Sequence, residues 1–342
     1  MNRPTIRDLA QAAGVSVSTV NRVLGGVGKV RPSTMPRIQE TAESIGFYGL
    51  GSIRSHIGAK WPKHRFGFLL NQPTRAWYRN LAEALDGAAG RIKDRDIQVQ
   101  IEFAQDLSPQ YISTKLKELG NECDAVGVVA AVHPLILEAV EELKHRGVPV
   151  FALVSQLSPT GNVHYVGLDN WKVGRTSAWA IANICKGPGK LGILVGNHRY
   201  RCQEMNESGF RSYFREFAPE FSLLEPLSTY ETSAVAQEMT EKLLREHPDL
   251  VGLYVAGGGI TGAVEALRAS GRANNVVTVG YELMDVTRAA LLDGILTLVI
   301  SHPLPMLADA TIAGMVKAAA ISPDAGNQTT VLPFELYTRE NI

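Results

Sequence analysis

Cysteine is scarce in this chain. Three residues, Cys123, Cys185 and Cys202, are spread through 342 positions, which excludes a disulfide framework and a thiolate metal site. Long apolar runs are missing too: none approaches the roughly 18–20 residues of a membrane helix, so no membrane partner is expected. Arg3, Arg7 and Asp8 interrupt the place where a secretory leader would carry its apolar core. Metalloprotease, phosphate-loop and nucleophile-elbow motifs are all absent, and the eight histidines are scattered. Catalysis, a metal and a cofactor are therefore not expected. What is present is an apolar share of 45%, enough for two or three cytoplasmic domains with real cores.

No sign of charge is in excess, since 34 Lys and Arg balance 34 Asp and Glu. The balance hides a division. Residues 1–64 hold nine basic residues against three acids, a net +6, and the remainder carries −6. A small basic module on an acidic body suits a phosphate-seeking domain.

The segment TIRDLAQAAGVSVSTVNRVLGG, Thr5 to Gly26, supplies the rest of that argument. Thr5 can cap a helix with Ile6, Leu9, Ala10 and Ala13 inward, and Gly14 breaks it. Ser16 can cap a second helix in which Val20, Val23 and Leu24 keep the spacing that buries one face. Val17, Ser18, Asn21 and Arg22 then face outward, a helix-turn-helix with a forked donor suited to guanine edges. Thr5, Ser16 and Thr19 sit where hydroxyls and free amides can hold phosphates. A third helix is expected from about Pro32 to Ile45, starting irregularly because Pro36 lies deep in its first turn.

These residues, together with VRPST and IGF further on, resemble the N-terminal headpiece of the lactose-repressor (LacI) family of bacterial transcription regulators. The resemblance implies a homodimer reading a near-palindromic double-stranded operator, and a body like periplasmic sugar-binding proteins. It also implies a hinge helix that wedges an apolar residue into the minor groove. Gly49 and Leu50 replace the family's usual Pro-Asn pair, leaving Ile53 or Ile57 as the wedge.

From Arg65 onward, short apolar runs alternate with amphipathic stretches, which implies α/β lobes with parallel sheets. Ten strands are too many for one compact sheet of this length. The expected organisation is a helix-turn-helix domain over 1–48, a linker over 49–64, and an effector-binding and dimerisation body over 65–342. Within the body, one lobe takes about 65–160 and 303–325, and the other about 161–302 and 326–342. The segment TTVLPFELYTREN is expected to stand apart as one last strand.

Open α/β sheets bind ligands at the C-terminal ends of their strands. That rule selects Gln72, Arg75, Trp77, Tyr78, Asp169 and Asn170 on one side. On the other it selects His198, Arg199, Arg201, Gly258, Glu282 and His302. An aromatic plane beside acids and arginines suits a sugar or polyol effector. The chain departs from family habit here as well. Glu204 and Asn206 stand near a missing arginine, and Gly257 and Gly258 replace an Asn-Asp pair. Gly257, Gly259 and Gly262, with Glu282 twenty residues on, also fit a dinucleotide-binding fingerprint. Two alternatives to an operator-binding repressor follow, a nicotinamide-dependent oxidoreductase and the solute-binding protein of a transporter.

Overall fold

The computed structural model describes residues 3–26, 30–31, 33–53, 61–157, 163–320 and 326–342. The chain divides into two compact units, residues 1–65 with 89–98, and residues 66–88 with 99–342.

The first unit carries the helices α1 (Ile6–Ala12), α2 (Val17–Gly25) and α3 (Thr34–Ser44), and residues 50–53 are helical as well. Thr5 caps α1 through a reciprocal box with Asp8, whose carboxylate accepts from the Thr5 amide and hydroxyl, both at 2.7 Å. Those bonds hold the Asp8 carboxyl below its usual range. Gly14, at φ +60, makes the left-handed turn that separates α1 from α2. Leu9, Ala10, Ala13, Val20, Val23, Ile38 and Ala42 form the core, with Phe47 and Ile53. Because α3 begins at Thr34, Pro36 falls in its first turn, where no amide partner is lost. The irregular start expected from Pro32 is thereby corrected on the Pro36 side, and Pro32 itself lies outside the described residues.

The second unit contains most of two parallel sheets. The first has the order β12-β5-β4-β3-β1-β2. Its strands are β1 (Lys63–Leu70), β2 (Asp96–Phe103), β3 (Ala125–Val128), β4 (Val150–Leu153), β5 (His164–Leu168) and β12 (Thr329–Leu332). The second has the order β13-β11-β10-β9-β6-β7, with β8 also on β6. It comprises β6 (Lys190–Val195), β7 (Ser222–Leu223), β8 (Leu227–Ser228), β9 (Leu250–Val255), β10 (Val277–Tyr281), β11 (Leu298–Ser301) and β13 (Glu335–Tyr337).

Helices α4 (Ala76–Arg91), α5 (Pro109–Glu122), α6 (Pro134–His145) and α12 (Leu304–Ala319) accompany the first sheet. The second has α7 (Asn170–Ile184), α8 (Arg201–Phe217), α9 (Ser233–Glu246), α10 (Ile260–Ser270) and α11 (Asp285–Leu292). Each sheet has its own apolar cluster, one around Leu116, Val126 and Leu143, the other around Leu253, Val264 and Leu291. Helices α7 and α8 pack closely, as do α9 and α10.

Two expectations are corrected. The chain passes between sheets after Leu168 rather than near residue 160, because β5 pairs in parallel with β4. The segment TTVLPFELYTREN does not stand apart as one strand. It splits at Pro333: β12 joins β5 in the first sheet, and β13 lies antiparallel to β11 in the second. Proline has no amide to donate, so it cannot continue a ladder and marks the break.

Candidate functional site

The exposed face of α2 is the one its burial pattern dictates. Val20 and Val23 are buried, and Val17, Ser18, Asn21 and Arg22 point to solvent. Val17 is 40% exposed, an uncommon placement for a valine on a helix with an apolar side available. The Ser16 hydroxyl accepts from the Thr19 amide at 3.2 Å and lies 2.8 Å from the Thr19 hydroxyl. Ser16 and Thr5 thus cap their helices, and the Thr5 hydroxyl proton already goes to Asp8. Of the two apolar wedge candidates, Ile53 is not presented. Ile53 is fully buried among Leu9, Val23 and Phe47 of its own unit, and Ile57 lies outside the described residues.

A cavity of about 650 Å³ opens at the C-terminal ends of the strands of both sheets in the second unit. Gln72, Arg75, Trp77 and Tyr78 line it from the first sheet, and Gly258 and Glu282 from the second. Trp77 is 5% exposed, and its indole Nε1 has no hydrogen-bond partner. Beside it, the Asn71 amide donates to the phenol oxygens of Tyr78 and Tyr200, at 3.1 and 3.0 Å. Burial pushes both phenols upward in pKa, and the Cys202 thiol up to about 12, so all three stay neutral donors.

The strongest electrostatic feature joins an expected residue, Arg75, to one that was not expected, Glu231. Arg75 Nη1 donates to Glu231 Oε2 at 2.6 Å, and Nη2 donates to the Glu231 carbonyl. Burial would lower the Arg75 pKa, but the Glu231 carboxylate together with the Tyr78 and Tyr200 phenols outweighs it and the value rises. The other oxygen, Glu231 Oε1, accepts from Gln203 Nε2 at 2.6 Å. Gln203 in turn accepts from the amides of Gly196 and Asn197, at 2.7 and 3.0 Å. This arrangement explains the departure at Gly257 and Gly258. A Cβ at Gly257 would collide with the Gln203 amide group, and one at Gly258 with the Glu231 carboxylate. Gly259 serves as the N-cap of α10 at φ +103.

Glu282 is also committed. Its Oε1 lies 2.6 Å from His302 Nδ1, and its Oε2 accepts from the Ser301 hydroxyl and the His302 amide, at 3.0 and 3.2 Å. His302 is buried behind it, edge-on to Trp77, and is not part of the cavity wall. Five further expected residues fall outside the wall. Asp169 caps α7, its carboxylate accepting from the Lys172 amide at 3.2 Å. Asn170 is buried between Tyr165 and Tyr281. Arg199 is exposed, and Arg201 lies 3.7 Å from Glu204. The turn into α8 directs Tyr200, Cys202 and Gln203 inward instead. His198 points away as well, paired with Glu207 at 2.8 Å. The strand-end rule could have found Glu231, which follows β8, had the run FSLLEPL been read as broken into two short strands.

A family model described as "Bacterial regulatory proteins, lacI family" matches residues 5–49, and "Periplasmic binding protein domain" matches residues 66–321. Catabolite control protein A of Priestia megaterium is 29% identical over 165 residues, 48% of this chain. The chain spans about half of that relative's length, 47%. The ribose operon repressor of Bacillus subtilis is 24% identical over 300 residues, covering 84% of this chain and 83% of the repressor. Among solved structures, a periplasmic solute-binding protein from Actinobacillus succinogenes with bound D-allose has a TM-score of 0.72 at 19% identity. That match covers 81% of this chain and 98% of the other. The chain belongs to the periplasmic-binding-protein domain family through its body, and its N-terminal helices are similar to the lacI family of bacterial regulatory proteins.

Proposed function

We propose that this protein is a cytoplasmic transcription repressor whose hold on an operator is set by a small sugar or polyol. The observation that carries this reading is the solvent-facing row Val17, Ser18, Asn21 and Arg22 on a capped second helix. That face offers a forked donor, an amide, a hydroxyl and a methyl contact, the set that distinguishes base pairs in a major groove. The cavity lined by Trp77 and phenol donors supports a polyhydroxylated effector. A relative named as a ribose operon repressor, and a solute-binding protein of the same fold solved with bound D-allose, support the same class. A homodimer follows from the family's two-fold operators, because operator symmetry mirrors protein symmetry. Effector control works as a population shift: a ligand that binds one lobe arrangement better draws the protein toward it.

Selection of bound duplexes from a random pool by the full-length protein tests the reading. Enrichment of a near-palindromic sequence is expected; equal recovery of all sequences would sink it. The +6 module adds a second expectation. Each phosphate neutralised contributes about 0.9 to the log–log salt slope, so six to ten contacts across a dimer cost roughly 10³–10⁵ in affinity between 50 and 200 mM salt. Titration of the selected duplex at four salt concentrations measures the slope, and a flat line would contradict phosphate-led binding.

A further inference from the structure

The Arg75–Glu231 pair joins the two lobes across the cavity, and its construction is unusual. Glu231 reaches it through two consecutive non-glycine residues in the left-handed region, Tyr230 at φ +50 and Glu231 at φ +64. Tyr230 stays 72% exposed, so no burial of its ring offsets the strain. Three glycines make room for the incoming carboxylate and its partner: Gly196 and Gly258 beside Glu231, and Gly257 beside Gln203. Arg75 is the one lysine or arginine among the described residues that line the cavity. The result is a carboxylate seated between a guanidinium and an amide donor, in the space where an α/β cleft receives its ligand.

We propose that the Glu231 carboxylate is a tethered stand-in for the carboxylate of a sugar acid, and that the effector which takes its place on Arg75 and Gln203 carries that group. The proposal rests on the effector-controlled reading above and narrows its ligand class. A neutral hydroxyl in place of Glu231 would leave a largely buried guanidinium without a counter-charge, and an exchange of carboxylates conserves the pair. Glu282 does not compete for Arg75, because both of its oxygens are held by Ser301 and His302. Asp285, Thr232 and Ser233 line the same cavity and suit the hydroxyls of the sugar.

Calorimetric titration of the full-length protein with D-glucuronate and D-glucose, which differ at one carbon, tests the assignment. Wild type should bind D-glucuronate at least tenfold more tightly. Glu231→Ala should tighten D-glucuronate about tenfold further, and Arg75→Met should abolish the preference. In Glu231→Ala, sodium acetate should raise the melting temperature where equal sodium chloride does not, and wild type should show no such difference. If Glu231→Ala fails to fold, Glu231→Gln carries the same comparison. Equal or tighter binding of D-glucose in both wild type and the Glu231 variant would overturn the proposal, as would identical responses of the two proteins to every probe. Operator affinity measured on the same samples separates the two readings. Specific operator binding without a carboxylate preference sinks the ligand assignment alone, and loss of sequence preference in wild type sinks the repressor reading.

Discussion

Arg22→Ala should lose about 1–3 kcal/mol of affinity for the selected operator and relax discrimination at one base pair. The reasoning starts from α2 as a rigid platform. Val20 and Val23 anchor it in the core, Ser16 caps its start, and Gly26 closes its end in the left-handed region. Arg22 lies on the opposite face, one turn beyond Ser18 and exposed. Its fork can meet two acceptors on one guanine, which a lysine or an amide could not match with the same geometry. Alanine favours the helix and removes no buried contact, so the melting temperature should hold. Fluorescence anisotropy with cognate and scrambled duplexes measures the effect. A 5- to 150-fold loss on the cognate with a smaller loss on the scrambled duplex is expected, and an unchanged ratio between them would refute base reading by Arg22.

Gly262→Ala should be the most damaging single-methyl change in the body. At this point α10 crosses α9, and a Cβ would collide with the Ser233 carbonyl oxygen and stand 2.8 Å from the Gln237 amide nitrogen. Both obstacles are backbone, so no side chain can swing aside. Overpacking of this kind costs about 1–3 kcal/mol and more where the neighbours are rigid. Thermal unfolding should show a fall of several degrees in Tm. Gly271→Ala is the matched control for strain without collision, since Gly271 is at φ +66 with open space around its Cβ position. A smaller effect at Gly262 than at Gly271 would show that α9 and α10 can separate freely.

The same glycine shows where the sequence speaks plainly and where it does not. Gly257, Gly259 and Gly262 match a nucleotide fingerprint in one dimension. In three dimensions Gly257 yields to Gln203, Gly259 turns the chain, and Gly262 admits a neighbouring helix. Spacing along the chain cannot tell close approach to a phosphate from close approach to a helix. The α2 face was legible because its period, cap and terminal glycine are local signals. So were most strands of the two sheets, each an apolar run bounded by helix. The cavity was legible only in part. Gln72, Arg75, Trp77, Tyr78, Gly258 and Glu282 follow long strands, and the strand-end rule finds them. Arg199 and Arg201 also follow a strand, but the turn into α8 rotates Tyr200 and Gln203 inward instead, a phase that a sequence does not print. Ile53 misleads for a similar reason: its apolar character suits a wedge and a core equally, and here it completes the core.

The split at Pro333 bears on how the molecule is made. Synthesis runs from the N-terminus, and β12 and β13 lie beyond residue 328. Until they emerge, β5 in the first sheet and β11 in the second each keep an open edge, the surface on which strands of other chains can pair. One short stretch then covers both strands almost together and leaves only the short strands β12 and β13 at those edges. A ribosome that stalls before Thr329 therefore releases two nearly complete lobes with two exposed strand edges, and the hazard it creates is aggregation rather than simple loss of function.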